Sequence, residues 1–488
     1  MYYKNRINVY TRKEKTMKNR INEILESKRK YFTDIADYIW ANPELAYREF
    51  KSAKALKDAM VECGFEVTEN LAGIETAFKG QFGSGHPVIG FLGEFDALPS
   101  LSQEASCNVK KPVEEGGNGH GCGHCNLGAG SMAAATALKE YMEENNLPGT
   151  VVYFGCPAEE SGCGKTFMAR EGVFDDVDIA LTWHPGSTNS VWGMSSLANI
   201  VVFFHFKGVT AHAAAVPHLG RSALDAAELM NVGVNFLREH VIPEARMHYA
   251  FTEVGGGAPN VVQDRATVLY YIRAPKTEQV MDIFPRVVKC AEGAAHMTET
   301  ELTVEIKTAL SDYIPNDVVS RAMSDAMLEI GPIEFSDEAK AFAKEMYKSL
   351  TEADLKSGIG SLAGNMPMEE AVKRVHEAII PDVFPYKRLN YAMPGSTDVG
   401  DVSYVVPTAQ LSAATAIIGT PGHSWQQTAQ SKSVLAHEGT NYAAKVMALT
   451  GVKFLENPEL IVKAREELNA VTGGVYNCPI PKDVKPQP

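Results

Sequence analysis

The chain has 488 residues, 45% of them apolar and 22% charged, and carries a formal net charge of −14. That length allows two or three domains of ordinary globular composition. The acidic balance disfavours nucleic acid and anionic membrane surfaces as partners, since both require a basic footprint; no apolar run reaches the roughly 18–20 residues that a bilayer span needs.

The basic N-terminus has no apolar core and is not a secretory signal. The pentapeptide KNRIN occurs at Lys4–Asn8 and again at Lys18–Asn22, with Met17 directly before the second copy. We therefore read Met17 as the native start and set residues 1–16 aside. Eight cysteines scattered through a long chain without a secretory signal point to free thiols in a reducing, cytoplasmic setting.

From Glu23 to Cys63 the spacing predicts helices, with Ile24, Tyr31, Ile35, Tyr38 and Ile39 on one stripe and a second helix through Ala53–Met60. Strand-like runs follow at Phe65–Val67, Thr76–Phe78 and Val88–Leu92. Asn126–Tyr141 reads as a helix with Asn126 as its N-cap; Thr150–Phe154 and Ile179–Thr182 read as buried strands. Strands alternating with helices predict a three-layer α/β domain with a largely parallel sheet. From about residue 197 the order becomes strand Asn199–Phe206, helix Arg221–Arg238, strands Met247–Val254 and Ala266–Arg273, helix Thr277–His296 and strand Leu302–Thr308. That is the order of a ferredoxin-like α+β unit, expected as an insertion. Helices at Glu338–Leu350, Met368–Ile379 and Glu438–Leu449 and a strand-like run at Thr408–Ile418 then resume the α/β pattern before a proline-rich tail. The expected division is 17–196 and 311–488 for the larger domain and 197–310 for the insertion.

Polar clusters fall at the predicted carboxyl ends of strands, where open α/β sheets bind ligands. These are Glu94 with Asp96, Cys122 with His124, Glu159 with Glu160, His184, and His423. Thiolate, imidazole and carboxylate together suit a borderline divalent ion such as zinc or manganese, and ligands dispersed over about 300 residues favour a catalytic over a structural site. Of two adjacent carboxylates in an extended loop, one can ligate while the other serves as general base. Blander readings stand beside these. Cys122 and Cys125 have the C-x-x-C spacing of a redox pair, Glu94 and Asp96 can cap a turn, His212 can be a surface histidine, and Arg273 a solvated strand residue.

The ordered set GEFDALP, GHGCGHCNLG, PAEESGCGK, WHPG, KGVTAHAAAVPHLGRSALDA, GGGAPNVVQDRA, GSTDVGDVS and GTPGHSW resembles the dinuclear-metal aminoacylase and carboxypeptidase-like amidohydrolases, and within them the auxin-conjugate amidohydrolase branch. The resemblance spans about residues 35–449. It implies a zinc-aminopeptidase-like, three-layer catalytic domain with an inserted lid that also dimerises. By motif, Cys122, His124, Glu160, His184 and His423 would be ligands to two divalent ions, with Cys122 bridging them. Glu159 would be the general base, Asp96 would orient a ligand from behind, and His212 would stabilise the oxyanion from the partner's lid. Asn260 would help bind substrate, and Arg273 is a candidate for its carboxylate. Cys125 departs from the family's commoner aspartate at that position.

The implied activity is hydrolysis of an N-acyl amino acid, such as aminobenzoyl-glutamate, by metal-activated water. A dipeptidase or a different N-acyl-amino-acid deacylase would use the same residues, and a non-catalytic partner subunit would keep the fold. The implied partners are a small-molecule substrate, a second copy of the chain and a related second subunit.

Overall fold

The computed structural model of the chain describes residues 2–487. It contains two sheets. The strands are β1 Glu66–Glu69, β2 Phe78–Ser84, β3 Val88–Glu94, β4 Gly149–Cys156, β5 Ile179–Gly186, β6 Asn189–Val191, β7 Ala198–Lys207, β8 Arg246–Glu253, β9 Arg265–Ala274, β10 Glu301–Leu310, β11 Val383–Phe384 and β12 Thr408–Ala414. The first sheet has the order β1-β2-β4-β3-β5-β12-β6-β11 and the second β10-β7-β9-β8.

Only the centre of the large sheet is a continuous parallel run. β4, β3, β5 and β12 pair in parallel, while β1–β2, β2–β4 and β12–β6 are antiparallel. The expectation of a largely parallel sheet thus holds for the strands that carry the polar clusters and fails towards the edges. There, short connections such as the one between β5 and β6 leave no room for a crossover helix.

Every residue of β3 and β4 is buried, because helices cover both faces. Ile89, Phe91, Val151 and Tyr153 pack into a core with helices α1 (Tyr2–Ala41), α3 (His124–Asn145) and Val434–Glu456; α2 (Phe50–Glu62) flanks them. On the other face, Leu92, Val152 and Phe154 meet Phe167 and Met168 of α4 (Gly164–Arg170), and Val402.

Three sequence expectations need correction. Helix α1 is continuous from Tyr2 and does not begin near Glu23; Met17, Ile21 and Leu25 belong to its buried stripe, whereas Tyr38 is 46% exposed. Asn126 is not an N-cap: α3 starts two residues earlier, after Gly123 in left-handed backbone, and the Asn126 amide donates to the Ser431 carbonyl at 2.7 Å. The strand expected to end at Thr182 runs on to Gly186 and carries His184 within it.

The second sheet is antiparallel throughout. With α5 (Ala223–Leu237) and α6 (Thr277–Thr298) it follows the order β7-α5-β8-β9-α6-β10, as expected for a ferredoxin-like unit. Ser222 caps α5 by accepting from the Asp225 amide. Met230, Val234, Val280, Ile283 and Val287 seal the helices onto the sheet.

Candidate metal centre and active site

The centre lies where the parallel strands end. Cys122 occupies the loop before α3 and His124 is the helix's first residue. Glu159 and Glu160 follow β4, His184 sits near the end of β5, and His423 lies on the loop after β12. Close approach of α3 to the sheet depends on small residues. A Cβ on Gly128 would come within 2.7 Å of the Glu94 carbonyl oxygen, and one on Gly130 within 2.9 Å of the Trp183 ring.

Two triads form around one sulfur. Cys122, His124 and His184 place ligand atoms within 4.8 Å of one another, and so do Cys122, Glu160 and His423. Cys122 Sγ is 3.3 Å from His184 Nε2, and His423 Nε2 is 3.3 Å from Glu160 Oε2. His184 Nδ1 lies 2.8 Å from the Pro185 carbonyl, to which it can only donate, so the acceptor nitrogen Nε2 is the one turned towards the sulfur. His124 Nδ1 is 2.8 Å from Asp96 Oδ1, and Asp96 Oδ2 accepts from the Glu160 amide at 2.9 Å.

The donor set fits divalent metal. Glu160 Oε1 is buried with no hydrogen-bond partner among the described residues, and His124 Nε2 makes no hydrogen bond and has the Glu94 carboxylate near it, an arrangement that is costly unless something else satisfies them. Charges point the same way. Burial, followed by neighbouring carboxylates, pushes Glu159 far above the usual carboxylate range, and burial lifts Glu160 to about 7. Burial and then the Glu160 charge raise the Cys122 thiol. Burial, with His124 second, lowers His184 to about 4. A cluster that resists its own negative charge is one that a cation would stabilise.

Cys125 resolves against the redox reading. It is a free thiol on the first turn of α3, fully buried in the core, and belongs to neither triad.

Three residues present in the motifs had no assigned part. Glu94, the last residue of β3, forms a third triad with His124 and Glu159; its Oε2 is 3.2 Å from His124 Nε2. Its Oε1 is 2.7 Å from Lys165 Nζ, which is also 2.5 Å from Asp398 Oδ1. All three side chains are buried. A lysine opening a short helix of small and apolar residues was the available signal.

The cluster opens into a cavity of about 1770 Å³ that also receives Trp192, Tyr391, Arg246 and Arg273. The Trp192 ring lies 6.0 Å from that of His184. Arg273 donates to Ser396 Oγ at 2.8 Å. His212 and Asn260 are not in this cavity. They are exposed on adjoining loops of the smaller unit, tied by the Ala213 amide donating to the Asn260 carbonyl at 2.9 Å. His212 Nδ1 accepts from the amides of Ala214 and Ala215, each at 3.2 Å.

Residues 90–448 match the model of peptidase family M20/M25/M40. The chain is 46% identical over 472 residues to one of the subunits of the p-aminobenzoyl-glutamate hydrolase of Escherichia coli, covering 96% of this chain and 98% of that one. It is 28% identical over 470 residues to the mouse Xaa-Arg dipeptidase, covering 92% of each. Its fold is similar to a dinuclear metal binding peptidase of the M20 family from Bacillus subtilis, with a TM-score of 0.54 at 17% identity over 89% of this chain and 99% of that one.

Proposed function

The chain belongs to peptidase family M20/M25/M40 and is a metal-dependent amide hydrolase; on that premise we propose that it cleaves N-acylated glutamate of the aminobenzoyl type. The observation that carries this reading is the pair of triads sharing Cys122, with the unshared carboxylate of Glu159 beside them in a cavity that also holds an aromatic ring and unpaired arginines. The name of the Escherichia coli relative supplies the substrate class.

In this reading Cys122, His124 and His184 hold one divalent ion and Cys122, Glu160 and His423 the other, zinc or manganese in each case. Divalent ions bound there would lower the pKa of a water and polarise the scissile carbonyl. Glu159, beside both triads, would be the group that accepts a proton from the attacking water and returns it to the leaving nitrogen. Asp96 fixes His124 and the Glu160 backbone together. Arg273 receives a substrate carboxylate.

His212 and Asn260 complete the site from the lid of a second copy. Their exposure and their absence from the cavity lining fit that arrangement, as does an apolar stripe on α5 in which Leu229, Val232 and Phe236 are 39%, 51% and 74% exposed. A related second subunit is a further partner, suggested by the Escherichia coli hydrolase, which has more than one kind of subunit. No helix of the described residues is long and apolar enough to cross a membrane, and we place the enzyme in the cytoplasm. A dipeptidase acting by the same residues is the second reading, favoured by the 28% identity to the mouse enzyme.

The test is a panel of aminobenzoyl-glutamate, N-acetyl amino acids and Xaa-Arg dipeptides, assayed with zinc or manganese for the wild type and Glu159→Ala. Aminobenzoyl-glutamate should be cleaved best and the variant should lose it. Faster turnover of a dipeptide would transfer the assignment, and equal activity of Glu159→Ala would remove the mechanism.

A further inference from the structure

Four cations line the large cavity: Arg246, Arg273, Lys276 and Arg388. Two are neutralised by the fold. Lys276 Nζ is 2.8 Å from Asp312 Oδ2, and Arg388 Nη1 is 3.2 Å from Asp317 Oδ1. The other two are not: among the described residues no carboxylate lies within 4.0 Å of either guanidinium. Arg246 Nη1 donates to the carbonyls of Pro243 at 2.6 Å and Ala245 at 2.8 Å. Arg273 has the Ser396 hydroxyl and the face of Tyr271, 5.5 Å away.

These two arginines are also direct cross-strand partners, Arg246 on β8 opposite Arg273 on β9. Directly opposed residues share a face of the sheet, and like charges so placed oppose folding. Burial, then Arg273, Arg238 and Arg246, depress His248, two residues along β8 on the same cavity wall. Glu244, which also faces the cavity, pairs with neither. An uncompensated, destabilising pair of guanidiniums facing the cavity that holds Cys122, Glu159 and His184 has a use only if an anion completes it. Two forks side by side match two carboxylates better than one.

We propose that Arg246 and Arg273 form a clamp for a dicarboxylate amino acid on the amine side of the scissile amide, with Arg246 the residue that selects it. Arg273 takes the carboxylate that every amino-acid substrate has, and Arg246 takes the side-chain carboxylate. This rests on the substrate reading above and adds to it the residue that tells an acidic side chain from a neutral one.

The experiment compares aminobenzoyl-glutamate with aminobenzoyl-glutamine, which has the same shape and lacks one charge. The metal-loaded wild type, Arg246→Gln and Arg273→Gln are assayed. The wild type should favour the glutamate substrate by about 100-fold or more in kcat/KM. Arg246→Gln should lose that preference because kcat/KM for the glutamate substrate falls far more than for the glutamine substrate. Arg273→Gln should lower both. A wild type that cleaves the two equally, or an Arg246→Gln that keeps the preference, overturns the clamp. If the wild type cleaves neither but cleaves another amide, the substrate reading fails separately, and inhibition of that activity decides the clamp. Glutarate must then inhibit at least about tenfold more strongly than butyrate, and equal inhibition overturns it. The same inhibitor comparison on the wild type decides the matter if Arg246→Gln does not fold.

Discussion

Asp96 holds His124 through a contact of 2.8 Å between Oδ1 and Nδ1, with both side chains buried. Its second oxygen accepts from the Glu160 backbone, so one carboxylate sets the imidazole of one triad and the chain position of the other. Burial alone would raise this carboxyl; the His124 contact outweighs it and keeps Asp96 below its ordinary value. In Asp96→Asn the amide group must face either His124 or the Glu160 N–H, and it mismatches one of them. Metal affinity should fall by about 10- to 100-fold, measured by competition with a chromophoric chelator. Unchanged affinity would show that the contact is incidental.

Lys165 is the lone cation between the buried carboxylates of Glu94 and Asp398. Replacing it by methionine leaves two uncompensated buried charges and should cost about 3–5 kcal/mol. Thermal melting of the chelated protein reads this directly. Adding Asp398→Asn to Lys165→Met should recover part of the loss, because the two groups answer each other. A Lys165→Met protein that melts within a degree or two of wild type, on the order of the effect of a neutral surface change, would contradict the account.

Glu49 is fully buried and accepts from the amides of Tyr47 and Ala158, each at 2.9 Å, and from the Thr76 hydroxyl at 3.0 Å. Burial, then the Asp96 charge, raises its carboxyl from 4.5 to about 8. The folded chain therefore takes up a proton that the unfolded chain releases. The resulting stability is complete below about pH 4.5 and is lost as pH rises towards 8. Gln at this position accepts the same two amides, donates to Thr76 and does not titrate. The melting temperature of Glu49→Gln should thus gain on wild type steadily between about pH 5 and about pH 8. A difference that stays constant with pH would sink the assignment.

His212 and Glu159 belong to different copies in the proposed dimer. Neither His212→Ala nor Glu159→Ala alone should show appreciable turnover. Mixed and re-associated, they should regain about a quarter of wild-type activity, since half the dimers are hybrids and each hybrid has one intact site. Absence of any regain in verified hybrids would place His212 outside the reaction.

The sequence was informative where chemistry and strand ends coincide. Apolar runs such as Val88–Leu92 and Thr150–Phe154 located β3 and β4, and the polar residues just beyond them met in space. It was uninformative where a residue's meaning depends on a distant partner. Lys165 and Asp398 are 233 positions apart, and Arg246 reads as an ordinary exposed arginine until the β8–β9 register sets it opposite Arg273. Asn126 carries a strong capping propensity, yet α3 starts after Gly123 and the Asn126 amide is committed to the distant Ser431 carbonyl. The strands β6 and β11 were missed for a different reason. β6 and β11 have only three and two residues, too few for any periodicity to register.

The loops of Cys122 and His423 are stitched together by the His423 amide donating to the Gly121 carbonyl at 3.0 Å, and by Ser431 Oγ donating to the His120 carbonyl at 3.2 Å. These bonds join the first third of the chain to its last seventh. During synthesis, the segment bearing Cys122, His124, Glu160 and His184 leaves the ribosome long before residue 423 exists. One triad is then fully encoded and the other lacks a member. A chain that stops short of residue 423 would thus carry the sulfur with three of its four partners, and the second triad closes only once the last seventh of the polypeptide is made.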